Sequence, residues 1–234
     1  MTTLLSIMML GFFLGMKHAL DADHVVAVTT FVSRERSVFR SSLIGLIWGL
    51  GHTTTIVLVG GSIILFGLVI PHKLGLSLEF CVALMLVAVG LLNLDAFVRH
   101  LDHTSPRHHG VHHRSSSHHV SGAIASGWFR NRRLPTWIRP YLVGCVHGMA
   151  GSAALALLVL PIITDSFWAM IYLLVFGFGS VGGMMIITTI VSWPMARLGG
   201  ASHVLQGRLA AGAGLLSIGL GLFLVYDIGF VQGL

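Results

Sequence analysis

Six apolar runs, each long enough to cross a bilayer, dominate this chain, at approximately 4–31, 42–70, 77–98, 138–161, 166–195 and 205–227. A spanning helix needs about 20 consecutive apolar residues. Inside a bilayer the backbone must satisfy its own hydrogen bonds, so runs of this length predict helices. Composition agrees: 55% of the 234 residues are hydrophobic and only 9% are charged, whereas a soluble domain carries about 25% charged residues. Such a chain cannot cover a water-facing surface with polar side chains. The expected fold is an all-α integral membrane protein with six transmembrane helices. The second and fifth runs exceed a simple span and contain glycine clusters, Gly49 with Gly51 and Gly177 with Gly179, Gly182 and Gly183, which predicts tilt, a kink or an interruption there. The first run is too long for a signal-peptide core and carries ionisable residues, so no cleavable leader is expected.

The net charge of +6 is gathered in clusters between the runs. Arg34, Arg36 and Arg40 follow the first run; Arg99, Arg107, Arg114, Arg130, Arg132, Arg133 and Arg139 follow the third; Arg197 and Arg208 follow the fifth. The opposite side has Lys73 and the acidic Asp165. Short loops rich in Lys and Arg stay in the cytoplasm. The expected protein is therefore multi-pass in the cell membrane, with both termini external. These clusters suit an anionic membrane surface, and no nucleic-acid partner is expected. The long loop, residues 99–137, holds His100, His103, His108, His109, His112, His113, His118 and His119. It lacks apolar periodicity, so it is expected to be cytoplasmic, disordered without metal, and a metal buffer or sensor. Cys81 and Cys145 lie inside apolar runs and are expected to be reduced, buried small hydrophobes.

The two halves of the chain resemble each other. GMKHALDA at 15–22 aligns with GCVHGMAG at 144–151, placing His18 on His147; WGLG at 48–51 aligns with FGFG at 176–179, placing His52 on Ser180; GLLN at 90–93 aligns with GLLS at 214–217. The offsets of 129, 128 and 124 residues are nearly constant and run in the same order. Three crossings per copy is odd, so the second copy must be inverted in the membrane. The expected organisation is a three-helix repeat at 1–98, the His-rich loop at 99–137 and a second three-helix repeat at 138–234. In transporters built this way the site lies near mid-membrane at the repeat interface.

The chemistry concentrates in HALDADH, His18 to His24. Each ionisable group at the centre of a membrane helix costs about 2.5–3.5 kcal/mol on insertion scales, so four within seven residues need a partner. On an ideal helix, turning about 100° per residue, His18, Asp21 and His24 share an arc of roughly 120°. They could present two imidazoles and a carboxylate to one cation. Asp23 points away from that arc unless the helix unwinds; it could instead orient an imidazole as a hydrogen-bond acceptor. Imidazoles suit borderline divalent metals, while Mg²⁺ and Ca²⁺ prefer oxygen. The bland alternative is a cluster that satisfies itself or faces water. In GLGHTTT, 49–55, His52 could be a third imidazole or a packing donor. In HGMAGSAA, 147–154, His147 is either a ligand by the repeat or incidental to a small-residue packing face, with Met149 and Ser152 as companions. Met16, Met184 and Met185 are expected as core fillers, and Thr53 to Thr55, Thr188 and Thr189 as donors to helix carbonyls. The candidate metal residues are His18, Asp21, Asp23, His24, His52 and His147.

HALDADH resembles the H-x₄-D-H signature of the nickel/cobalt transporter superfamily, LGHTT resembles that family's second signature, and HGMAGSAA is similar to the corresponding segment of the UreH-type branch. The resemblance covers roughly residues 11–60 and 140–185. It implies nickel or cobalt permeation with His18, Asp23 and His24 as signature residues and Asp21 and His52 in the extended motifs. Positions 147–154 and 177–184 carry no carboxylate, unlike the later helices of the main branch. The leading expectation is a Ni²⁺ or Co²⁺ uptake permease, not an enzyme, with the metal as transported substrate and no cofactor. An exporter of the same fold, an accessory protein handing nickel to urease, and a membrane di-metal enzyme are the competing readings. The last is disfavoured because the loop histidines crowd together without carboxylates from rigid helices.

Overall fold

A computed structural model describes residues 2–32, 35, 37–67, 71–104, 137–149, 163, 165–197 and 203–234, and among these there are helices and no strands. The helices are α1 (Thr2–His18), α2 (Ala22–Val32), α3 (Val38–Phe66), α4 (His72–Thr104), α5 (Ile138–His147), α6 (Ser166–Arg197) and α7 (His203–Tyr226), the last continuing into a π-helical turn, Asp227–Val231. Among the described residues, four segments are long and apolar enough to span a membrane: Val38–Phe66, His72–Asp95, Ser166–Pro194 and Gly207–Val231. Leu4–His18 and Ala22–Val32 make a fifth if they cross together, as a span bent by 55°. Of the expected fourth run only Ile138–His147 and its exit are described; its remainder, 150–161, and the loop at 105–136 lie outside the described residues. α4 carries on beyond residue 98, through Thr104.

The first run is not one helix. α1 ends at His18, a turn of Ala19 to Asp21 follows, and α2 starts at Ala22. The backbone tightens there, with Leu20 N–H donating to Lys17 and Asp21 N–H to His18. Asp21 stands immediately before α2, a position where Asp is favoured, and its carbonyl accepts the first bond of the new helix from Val25. Asp23 lies in the first turn of α2, where a carboxylate complements the positive helix end. The glycine-rich second and fifth runs, expected to be tilted, kinked or interrupted, are continuous helices, α3 and α6. Their glycines allow close contact between helices rather than breaks.

α6 packs between α1 and α3, α3 packs on to α5, and α4 pairs with α7. α2 lies between these two groups and contributes Ala27, Val28 and Val32 to a core shared with Trp48, Leu86, Met184 and Ile187. With lipid outside, apolar burial gives little drive for helices to associate; small residues and interhelical hydrogen bonds serve instead. A Cβ at Gly15 would meet the Phe176 carbonyl, and one at Gly144 would meet the Trp48 carbonyl. One at Gly179 would meet the Phe12 carbonyl, and one at Gly51 the Tyr141 carbonyl. These two pairs of contacts are exchanged by the 128–129 residue offsets of the sequence alignment. In the α4–α7 pair, Gly90 and Gly214 face each other's carbonyls. Asn93 donates to the Ala210 carbonyl at 2.7 Å and Ser217 to the Leu86 carbonyl at 2.8 Å, two bonds exchanged by the offset of 124.

The outer faces are apolar: Leu58, Phe178, Ile190 and Phe223 are all exposed. Cys81 is exposed too and Cys145 half-buried, both as free thiols, which corrects the expectation that both are buried. Met184 is buried in the core. The threonines act as expected: Thr54, Thr55, Thr188 and Thr189 bond carbonyls of their own helices, and Thr53 and Thr55 reach the Gly177 and Cys145 carbonyls across helix boundaries.

Candidate metal centre

The break between α1 and α2 sets the geometry. His18 is the last residue of α1 and His24 lies in the first turn of α2, so the turn folds one ring back toward the other: their centroids are 4.6 Å apart. α3 contributes His52, whose ring stacks on His18 at 5.1 Å and meets His24 edge-on at 5.1 Å. α5 ends at His147, whose ring lies 4.1 Å from that of His24. All four imidazoles are fully buried. The C-terminal ends of α1 and α5 both converge on the cluster, and such ends favour cations.

His18 Nε2 and His52 Nε2 are 3.1 Å apart. His18 Nδ1 donates to Asp21 Oδ2 at 2.9 Å, which leaves Nε2 of that ring as the lone-pair atom. Asp23 joins two rings: Oδ1 is 3.1 Å from His24 Nδ1 and Oδ2 is 2.9 Å from His147 Nε2. His147 Nε2 also lies 3.3 Å from His24 Nδ1. Three ring nitrogens, His24 Nε2, His52 Nδ1 and His147 Nδ1, are buried without a hydrogen-bond partner. A buried polar atom without a partner is costly, and this set is what a ligand would satisfy. Two groups of donor atoms lie within 4.8 Å of one another: His18, His24 and His52, and Asp23, His24 and His147. These spacings suit ligands about 2.0–2.2 Å from one Zn²⁺-sized ion, and the nitrogen-rich set suits a first-row transition metal rather than Mg²⁺ or Ca²⁺.

All six residues singled out in the sequence come to this region, with two corrections of role. The arc of an unbroken helix put Asp21 in the inner set and Asp23 outside it. Because the helix breaks at 19–21, the two aspartates exchange places: Asp21 is 38% exposed and reaches only His18, while Asp23 is 21% exposed and joins α2 to α5. Met149 is 43% exposed, and Ser152 lies outside the described residues. Sequence reasoning missed the aromatic walls. Trp48 stacks along His24 at 5.9 Å and meets His147 edge-on at 5.6 Å, and Phe176 covers His18 at 5.7 Å. Trp48 stands four residues before His52, one helical turn away, a spacing that could have identified it. Trp48 and Phe176 are also repeat mates. Ser180, the mate of His52, is buried and bonds the Phe176 carbonyl of its own helix at 3.1 Å.

Fold and site together define a multi-pass helical membrane protein whose polar interior is a cluster of four imidazoles at a helix break. The chain is 34% identical over 231 residues to the urease accessory protein UreH of Bacillus sp. (strain TB-90), covering 99% of this chain and 95% of that one. It belongs to the UreH family, the branch that its motifs resemble. No family model matches the chain, and no solved structure does.

Proposed function

We propose that this chain is a permease that admits a divalent first-row transition-metal ion, Ni²⁺ or Co²⁺, through the buried imidazole cluster. The observation that carries the reading is the convergence of four buried histidines and Asp23 from α1, α2, α3 and α5 on a break inside an apolar run. Ionisable residues in membrane interiors mark ion pathways, and broken helices whose ends point at the substrate are a transporter device. The metal ligands are His18, Asp23, His24, His52 and His147, with Asp21 orienting His18. The architecture is six spans in two inverted repeats, 1–98 and 138–234, joined by the His-rich segment 99–137. The reciprocal contacts of Gly15 with Phe176 and Gly144 with Trp48 support that reading.

The test is metal flux into proteoliposomes holding only this chain, with Ni²⁺, Co²⁺, Zn²⁺ and Mn²⁺ compared. The expected result is accumulation of Ni²⁺ or Co²⁺ well above protein-free vesicles. One second reading has an observation behind it: the UreH relative is named as a urease accessory protein, and a membrane protein could hand nickel to urease without carrying it across. Flux no greater than in protein-free vesicles favours that reading. Whole-cell metal content with and without the gene distinguishes uptake from export by its sign.

A further inference from the structure

The two donor groups are different triads. They share a single residue, His24, and meet on its ring. Its Nδ1 faces Asp23 and His147, at 3.1 and 3.3 Å, while its Nε2 is buried without a partner. The two nitrogens of an imidazole diverge and cannot both ligate one ion. We propose that the cluster is a two-station relay: the transported ion is held first or last by His18, His24 and His52 and in the alternate position by Asp23, His24 and His147, with the His24 ring between the stations. This rests on the permease reading above and adds its path.

The stations differ in chemistry. The first offers three neutral imidazoles, with the carboxylate of Asp21 on the far nitrogen of His18. The second offers a carboxylate oxygen directly. A neutral ring carries one proton, so a ring that ligates through one nitrogen keeps its proton on the other. Passing the ion across His24 therefore exchanges that ring's tautomer, with water that enters with the ion carrying the proton from Nδ1 to Nε2. In the first position Nδ1–H donates to Asp23; in the second Nδ1 binds the ion and the proton sits on Nε2. Asp23 exchanges a hydrogen bond for a metal bond, so its charge is compensated in both positions. Two divalent ions sharing one imidazole would repel strongly in this low-dielectric interior, so occupancy alternates and one ion is bound at a time. Conduction needs binding that is favourable but multi-site, so that the ion can leave. His24, stacked against Trp48 at 5.9 Å, is the fixed element between the two positions.

The experiment uses the purified full-length chain with Co²⁺ as the probe, combining equilibrium binding, visible absorption and proteoliposome flux. His52→Ala removes a ligand of the first station alone, His147→Ala one of the second alone, and His24→Ala one of both. The relay predicts that His52→Ala and His147→Ala each still bind one Co²⁺, with different spectra because one retains the oxygen-containing station and the other the all-nitrogen one. Flux falls about tenfold or more in both, and His24→Ala binds none. His52→Gln and His147→Gln, which keep bulk and a polar group, should repeat the pattern if the alanine variants unfold. Loss of binding in His52→Ala and His147→Ala as complete as in His24→Ala would make this one joined site and overturn the relay. So would wild-type flux in either variant. Failure of the wild-type chain to move any of the four metals overturns the permease reading itself, a different pattern from either.

Discussion

At the scale of single residues, the two aspartates separate what a sequence can and cannot say about a site. Both were visible as ionisable groups where lipid-facing helices carry none, and the four histidines were marked by the same anomaly or by the repeat. Which carboxylate does what depends on φ and ψ at three residues, Ala19 to Asp21, and no pattern of side chains reports that directly. The geometry now ranks them. Asp23 accepts from His24 and His147 at once, whereas Asp21 accepts from His18 alone and is partly exposed. Asp23→Asn keeps the shape but removes the charge, and it replaces one acceptor oxygen by an amide that cannot accept from an imidazole N–H. Loss of a carboxylate that orients metal-binding histidines typically costs 10–100-fold in affinity or activity. Asp23→Asn should therefore lower Ni²⁺ or Co²⁺ flux by about that factor. Asp21→Asn should cost no more than about fivefold, the scale of a solvent-accessible pair worth ~1 kcal/mol. Initial flux rates of the two variants in parallel vesicles check the order. Equal losses would mean that Asp21 lies closer to the ion than its contacts indicate.

At the scale of helices, glycine had two plausible meanings and the structure selects one. Clusters in α3 and α6 read as tilts, kinks or interruptions because glycine weakens a helix, yet the break falls in a stretch with no glycine, HALDA, where the ionisable side chains and a new N-terminus at Asp21 outweigh good helix formers. The signal was present as Asp21 and Asp23, acidic residues at a helix start, but it lay inside an apolar run that reads as one span. The glycines of α3 and α6 are contact points, and their importance can be graded by what a methyl would strike. Gly15→Ala and Gly144→Ala each drive a Cβ into a backbone carbonyl of the next helix, whereas Gly182→Ala meets open space. Overpacking of this kind costs typically about 1–3 kcal/mol. In detergent, Gly15→Ala and Gly144→Ala should each lower the unfolding temperature by several degrees, at about 2–4 °C per kcal/mol for a chain of this size. Gly182→Ala should not lower it. The bonds from Asn93 and Ser217 are a finer probe: Asn93→Ala and Ser217→Ala should each cost about 0.6–1.7 kcal/mol, the scale of interhelical hydrogen bonds in membranes. Similar losses at these two positions are what a repeat predicts, and a large difference would count against equivalent roles.

At the scale of the whole molecule, the membrane character and the helical class were legible from hydropathy alone, because only helices and closed barrels span lipid. The count of six was less so: a broken span reads as one run, and half of the fourth run lies outside the described residues. Orientation is the property that charge should set. α6 begins at an end capped by Asp165, whose carboxylate accepts from Phe167 N–H at 2.8 Å. It finishes with Arg197 over the Trp193 ring at 4.8 Å, a cation and an aromatic such as gather at membrane interfaces. α3 runs from Arg40 toward Lys73 and so points the other way relative to the arginine-rich side. If Arg34 to Arg40, the arginines of 99–139, and Arg197 with Arg208 share the cytoplasmic face, both termini are outside and the loop histidines are inside. Single cysteines at Gly110 and Leu234, in a chain with Cys81 and Cys145 replaced by Ser, test this. A membrane-impermeant maleimide applied to intact cells should label position 234 and leave 110 untouched until the membrane is opened. The same orientation keeps the eight histidines of 99–137 on the cytoplasmic side, with His100 and His103 at the end of α4. Replacing all eight by Ser should therefore leave Ni²⁺ or Co²⁺ flux measurable in proteoliposomes while changing how metal is buffered or sensed in cells. Labelling of position 110 from outside would reverse the orientation of the whole bundle. Abolished flux in the well-folded loop variant would move the essential ligands out of the helix break and into the loop, because no buried ring is altered by that change.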